Sequence, residues 1–415
     1  MGEVIGNVIA PRAVRKIAML GSYVPRMCGI ATFTADLSNS IAAQSPGIDL
    51  FAIAMNDADR RYTYPDRVRF EITESDVASY RRAANFLNVN AVDVLCVQHE
   101  YGIFGGKAGS HVLLLLRELR MPIVATLHTL LNEPNELRRA AMEELARISE
   151  RLVVMTEHGA ETLRKVHGVP NHKIDLIPHG IPFVPFDCRG KAEIGVEGKS
   201  VLLTFGLLSP DKGIEHVIEA LPAILARYPD TVYIVLGATH PHVKENHGEM
   251  YRLGLENRAQ RLGVDANVIF HNRFVSQAEL IEFLSVTDIY ITPYLNLEQT
   301  TSGTLAYALG SGRAVISTPY WHAQELLADG RGVLVPWKNP QSIASAVNDL
   351  LGDDAKRLVM RKRAAALGRD MLWPTVARSY LQCFERAGTE HADRLRTVFQ
   401  AKTVTSASSV EPEAA

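Results

Sequence analysis

Short apolar runs alternate with amphipathic stretches along nearly the whole chain, a rhythm that predicts βαβ units and parallel sheets. The first strand reads as Lys16 to Gly21 (KIAMLG), followed by a loop with Pro25 and Gly29 and a helix from about Ile30 to Ala43. DLFAIAM, DVLCVQ, PIVATLH and RLVVMT are further strands, each short, apolar and followed by a polar or glycine-containing turn. KIDLIPHGI closes the first half. PFVPFDCRGKAEIGVEGKS then breaks the pattern with prolines, glycines and charges and reads as a linker. Beyond it the rhythm restarts: VLLTFG, TVYIVLG, NVIFHN, DIYITP, AVISTP and GVLVP are strands separated by helical stretches.

Two successive α/β blocks imply two Rossmann-like domains, residues 1–185 and 186–372, whose strand ends face a shared crevice where a ligand is expected. Length agrees, since 415 residues exceed the roughly 250–300 at which one core stops growing. From Trp373 a helix over 373–390, with Pro374 in its first turn, is expected to pack back on the first domain. The small, polar segment 398–415 is expected to be disordered.

Charge changes the picture little: a net charge of -2 gives no reason to expect nucleic acid or bulk electrostatic capture by a membrane. Cys28, Cys96, Cys188 and Cys383 show no C-x-x-C spacing and read as free thiols of a reducing compartment. The N-terminus lacks a signal-peptide core, and HVLLLLREL is too short to span a bilayer. A cytoplasmic protein is expected, with peripheral membrane contact left open.

Three segments carry candidate chemistry. Gly29 opens a helix just past a strand end, where free N–H groups and the helix dipole favour an anion; an ordinary βα turn explains it equally well. In FGLLSPDKG, Lys212 stands beside Gly213 at a helix start and can offer an ammonium to phosphate. The most informative run is LNLEQTTSGTLAYALG: Glu298 follows a strand, then Thr300, Thr301, Ser302, Gly303 and Thr304 lead into a helix. Hydroxyls and backbone donors there suit phosphate, and a carboxylate can accept hydrogen bonds from sugar hydroxyls. His99 and His128 each end a first-domain strand and are expected to point toward the crevice. Asp57 and Asp59 read as a solvated polar loop. His240, His242 and His247 match no zinc spacing, so no metal is assigned.

These segments resemble the retaining GT-B glycosyltransferases of family four (glycosyl transferases group 1). The likeness is strongest from Val201 to Pro340, in FGLLSPDKG, Glu298, GSGRAVIST, HAQEL and GVLVP, with PRMCGIATF and KIDLIPHGI adding to it in the first half. The resemblance implies a GT-B fold and metal-independent transfer of a hexosyl group from a nucleotide sugar to a carbohydrate or other hydroxyl acceptor, without a cofactor. It implies that Lys212 and the Ser302–Thr304 helix start contact donor phosphates, that Glu298 binds donor-sugar hydroxyls, and that His128 lies near the reaction centre. Two positions depart from the family: Leu207 stands where Arg is usual, and Ala306 where a second Glu contacts ribose. A glycoside phosphorylase using phosphate or a sugar 1-phosphate, or a non-catalytic binding protein of the same fold, remain alternative readings.

Overall fold

Nearly every apolar run predicted as a strand is one in the computed structural model, which describes residues 14–187 and 190–407. The first half forms β1 (Lys16–Gly21), α1 (Gly29–Gln44), β2 (Asp49–Asn56), β3 (Val68–Thr73), α2 (Val77–Val89), β4 (Val94–His99), α3 (His111–Leu116), β5 (Ile123–Leu127), α4 (Glu136–Ile148), β6 (Arg151–Val154), α5 (Glu157–His167) and β7 (Ile174–Leu176). The second forms β8 (Ser200–Phe205), α6 (Ile214–Leu225), β9 (Thr231–Leu236), α7 (Pro241–His247), α8 (Met250–Arg261), β10 (Val268–His271), α9 (Gln277–Val286), β11 (Ile289–Thr292), α10 (Gly303–Gly310), β12 (Ala314–Ser317), α11 (Trp321–Leu326), β13 (Val333–Leu334), α12 (Pro340–Gly352) and α13 (Asp354–Met371). A last helix, α14 (Trp373–Ala407), follows.

The strands build two parallel sheets of seven and six, in the orders β3-β2-β1-β4-β5-β6-β7 and β10-β9-β8-β11-β12-β13. Helices cover both faces, so most strands are buried on two sides and read as continuous apolar runs. β3 is the exception that the pattern missed. It is an edge strand whose burial alternates, and VRFEIT carries two charges on its open positions.

Each sheet has an apolar core on both faces. In α14, Val376, Ala377, Tyr380, Cys383, Phe384 and Ala387 recur at helical spacing and are buried with α1 against the first sheet. The chain returns there through Ile181, which pairs with Leu372, and Gly180, where a Cβ would lie 2.1 Å from the Trp373 ring. α14 runs on to Ala407, well past the helix expected over 373–390 and into the segment expected to be disordered. Residues 408–415 of that segment, and Cys188, lie outside the described residues. Among the described residues no helix is long and apolar enough to cross a membrane.

Candidate functional site

In both sheets the strand order reverses between two neighbours, β1 and β4 in the first, β8 and β11 in the second. A crevice opens outside the carboxyl ends of strands at such a reversal. The candidate residues fall there: Gly29 follows β1, His99 ends β4, His128 follows the adjacent β5, Lys212 follows β8, and Glu298 follows β11.

The second-domain side is assembled by glycine. After β8 the chain makes one tight turn over Pro210–Lys212, ended by Gly213 at φ 63°, where a Cβ would lie 2.2 Å from the Pro293 carbonyl oxygen. Only glycine lets the β8 loop press on the β11 loop this closely. The Leu295 N–H then donates to the Asp211 carbonyl at 2.9 Å. Lys212 Nζ consequently rests 3.8 Å from the centroid of the Tyr294 ring, a contact that orients an ammonium while leaving its charge available. The Tyr294 hydroxyl lies 2.8 Å from Thr304 Oγ1, which is 3.2 Å from Ser302 Oγ.

Ser302 caps α10 by accepting from the Leu305 N–H at 3.3 Å, while its own N–H donates to His322 Nδ1 at 2.7 Å. The N–H groups of Gly303 and Thr304 have no protein partner among the described residues and stand at the positive end of the helix dipole. Glu298 is partly buried; its N–H donates to Asn296 Oδ1 at 3.0 Å, and its carboxylate has no partner among the described residues. The Thr301 carbonyl accepts from Gln299 Nε2 at 2.5 Å, which shapes the loop between Glu298 and the helix.

The first-domain side meets this loop directly. Thr300 Oγ1 lies 3.3 Å from the Leu130 nitrogen and 3.4 Å from its carbonyl oxygen, two residues beyond His128. A Cβ on Gly303 would lie 2.9 Å from His179 Nε2, so a first-domain imidazole rests on the α10 start. Phe33 of α1 packs edge-on against His128 at 4.9 Å and His179 at 5.0 Å. Burial pushes His128 and His322 down to about 3 and His179 to about 4, so all three are neutral near pH 7. Further contacts join the halves. Tyr307 and Gln277 donate to Asp36 Oδ2 at 3.1 and 3.0 Å, and Glu325 Oε1 accepts from the Glu157 N–H at the start of α5 at 2.9 Å.

Two expectations change. His99 does not face the crevice: it is 2 % exposed, packed against Tyr101 and Phe104, with Nδ1 buried. Asp57 is not simply solvated, because it pairs with Arg26 at 2.7 Å and accepts from the Tyr62 hydroxyl at 2.8 Å, while Asp59 is exposed. Gly29 begins α1, but its φ is ordinary and a Cβ there would meet nothing within 4 Å, so the fold itself does not demand glycine. No bond ties Gly29 to Lys212 or Glu298 among the described residues. His240 accepts from the His242 N–H and caps α7, and no metal-ligating cluster occurs among the described residues. A surface hollow of about 560 Å³ lies between α12 and the far end of α6 from Lys212, and gathers none of these groups.

Sequence reading missed His179, His322, Gln98 and Glu100. Each stands in or beside one of the motifs PHG, HAQEL and QHE, but a lone polar residue at a strand end gives no sign of its orientation. Glu100 lies one residue beyond β4 and accepts from the Tyr101 N–H at 2.9 Å and from the Thr129 hydroxyl, beside His128.

The family model described as glycosyl transferases group 1 matches residues 191–367, and that described as glycosyltransferase family 4 matches residues 27–183. The second half of the chain is thus similar to the group 1 glycosyl transferases and the first half to glycosyltransferase family 4. A curated relative, D-inositol 3-phosphate glycosyltransferase of Corynebacterium glutamicum, is 27% identical over 288 residues, covering 63% of this chain and 66% of the relative. The match thus spans just under two thirds of that protein. Among solved structures, sucrose-phosphate synthase of Thermosynechococcus elongatus superposes with a TM-score of 0.71 at 15% identity, over 90% of this chain and 98% of that one. An Anabaena protein solved in complex with UDP gives 0.69 at 17% identity, over 89% and 100%. These superpositions show the GT-B fold. Within the group 1 frame, Ala306 is fully buried on α10 and Leu207 is partly exposed, so neither place carries a charge.

Proposed function

We propose that this chain transfers a hexosyl group from a nucleotide-sugar donor to a hydroxyl acceptor, with retention of anomeric configuration and without a metal ion. The observation that carries the reading is the assembly of Lys212, Tyr294, Thr304 and the free N–H groups of Gly303 and Thr304 at one strand reversal, with Glu298 in the same loop. A diphosphate placed on that assembly meets the ammonium and the helix start together. The charge that grows on the leaving phosphate as the glycosidic bond breaks is then stabilised where it develops. Glu298 accepts hydrogen bonds from donor-sugar hydroxyls, and the neutral His128 stands on the opposite wall. The leaving phosphate oxygen draws the proton from the attacking hydroxyl, so the side chains supply positioning rather than a covalent nucleophile.

The relatives support the classes of substrate: the Anabaena protein was solved with UDP, and the Corynebacterium relative is named for an inositol phosphate. Free Cys28, Cys96 and Cys383 support action in the cytoplasm. One observation favours a second reading. Leu207 leaves the phosphate site one cation short of the family pattern, which suits phosphate or a sugar 1-phosphate and hence a phosphorylase. Thermal denaturation with UDP, GDP, ADP and their hexose conjugates tests the proposal. A nucleotide at 100 times its Kd should stabilise the protein by about 2.7 kcal/mol, a melting shift of a few degrees. Stabilisation by phosphate and hexose 1-phosphates alone supports the second reading and overturns the first.

A further inference from the structure

Beneath His128 runs a chain of buried side-chain contacts that the transfer reading does not use. The Tyr380 hydroxyl of α14 lies 3.0 Å from Thr126 Oγ1, which is 3.9 Å from Cys96 Sγ. Gln98 Nε2 donates to that sulfur at 3.3 Å, and Gln98 Oε1 stands 2.9 Å from His128 Nε2. Tyr380, Thr126, Cys96 and Gln98 are all 0 % exposed, so each polar group depends on its neighbour for a partner. A Cβ on Gly21 would lie 2.9 Å from Gln98 Cβ, so glycine lets the first strand pass this close to the Gln98 side chain.

An amide has one end that donates and one that accepts. With Nε2 committed to the thiol, Gln98 turns its carbonyl oxygen to the imidazole, and a carbonyl can only accept. We infer that Gln98 is a positioning residue that fixes His128 as the Nε2–H tautomer, so that Nδ1 presents a lone pair to a hydroxyl of the transferred sugar. Nδ1 has no protein partner among the described residues and is not among the side-chain atoms sealed from solvent. The second ring nitrogen's bond decides what the first can do, as it does wherever an imidazole must act in one tautomer. The sugar contact rests on the transfer reading above; the tautomer does not.

The test uses the full chain with 15N-labelled histidine, the His128 signals being assigned by their loss in His128→Asn. At neutral pH the wild type should show the Nε2–H form of His128. Gln98→Met should give a mixture of tautomers, whereas Gln98→Glu, another acceptor of the same shape, should keep Nε2–H. Cys96→Ala frees the amide from its other end and should also give a mixture, which covers the case in which Gln98→Met does not fold. A wild-type Nδ1–H form, or an unchanged tautomer in both Gln98→Met and Cys96→Ala, overturns the inference. Calorimetry with UDP-glucose, GDP-mannose, UDP and GDP tests the sugar contact. The affinity ratio of conjugate to bare nucleotide should fall about tenfold in Gln98→Met, the worth of one hydrogen bond, and recover in Gln98→Glu. An unchanged ratio overturns the sugar contact. Failure of the wild type to bind any of the four overturns the transfer reading instead, and the tautomer result still decides the role of Gln98.

Discussion

At the carboxyl ends of the central strands of the second sheet a lysine rests on an aromatic ring with hydroxyls and free helix N–H groups beside it, and no carboxylate partner among the described residues. Across the crevice the first sheet offers the reverse: Arg26 is matched by Asp57, and the imidazoles of His128 and His179 are kept neutral by burial. One wall is therefore prepared for an anion, the other for uncharged hydroxyl-bearing groups. The difference teaches that two similar βα frameworks acquire distinct tasks through the loops that leave their central strands, not through the strands themselves.

Substitutions that remove one wall's character should break this asymmetry, and the largest effect is expected on the cationic wall. Lys212→Ala should lower kcat/KM about 100- to 1,000-fold, as loss of a donor aimed at developing charge does, with Lys212→Arg recovering part of it; steady-state kinetics checks this. Glu298→Gln should cost about 10- to 100-fold, since a neutral amide still accepts a hydrogen bond but less strongly, while leaving affinity for the bare nucleotide unchanged in a calorimetric titration.

Gly213→Ala tests the backbone contact that brings the two second-domain loops together. With a Cβ 2.2 Å from a carbonyl oxygen at positive φ, it should destabilise the protein by about 2 kcal/mol in denaturant titration and weaken nucleotide binding as Lys212 is displaced.

The smallest effect belongs to the seam between the walls. Burial pushes the Asp36 carboxyl up to about 6, against the opposing effect of the Tyr307 hydroxyl bond. A folded-state value above the unfolded one means the native protein holds the extra proton. Asp36 therefore favours folding below about pH 4 and loses that contribution as pH rises to about 6, with no further change above. Asp36→Asn keeps an acceptor for Tyr307 and Gln277 but removes the titration. The wild-type melting temperature minus that of the variant should fall between those pH values and stay flat beyond them.

Most of the fold was legible because parallel strands covered by helices must be apolar on both faces, and KIAMLG, VLLTFG and TVYIVLG announce themselves. VRFEIT did not, since an edge strand shows its charges to solvent. α14 also runs past the end expected for it, because a small, polar composition says little about a helix that simply continues. In the candidate site, the places of Lys212 after β8 and of the Glu298–Thr304 run after β11 were legible from the strand pattern. Tyr294, on which Lys212 rests, was not, because a tyrosine after a strand has no spacing signature. His99 and His128 looked alike in sequence, yet one packs inward against Tyr101 and Phe104 while the other reaches the crevice. Orientation at a strand end depends on long-range packing, which local pattern does not encode.

The claim on which all of this turns is that phosphate and sugar of one donor are held by Lys212 and Glu298 at the same time. Calorimetric titration of a nucleotide and of its hexose conjugate into wild type, Lys212→Ala and Glu298→Gln measures it directly. The account predicts that Lys212→Ala weakens both ligands, whereas Glu298→Gln weakens the conjugate alone. Equal affinity of the wild type and Lys212→Ala for the nucleotide, or of the wild type and Glu298→Gln for the conjugate, would contradict it.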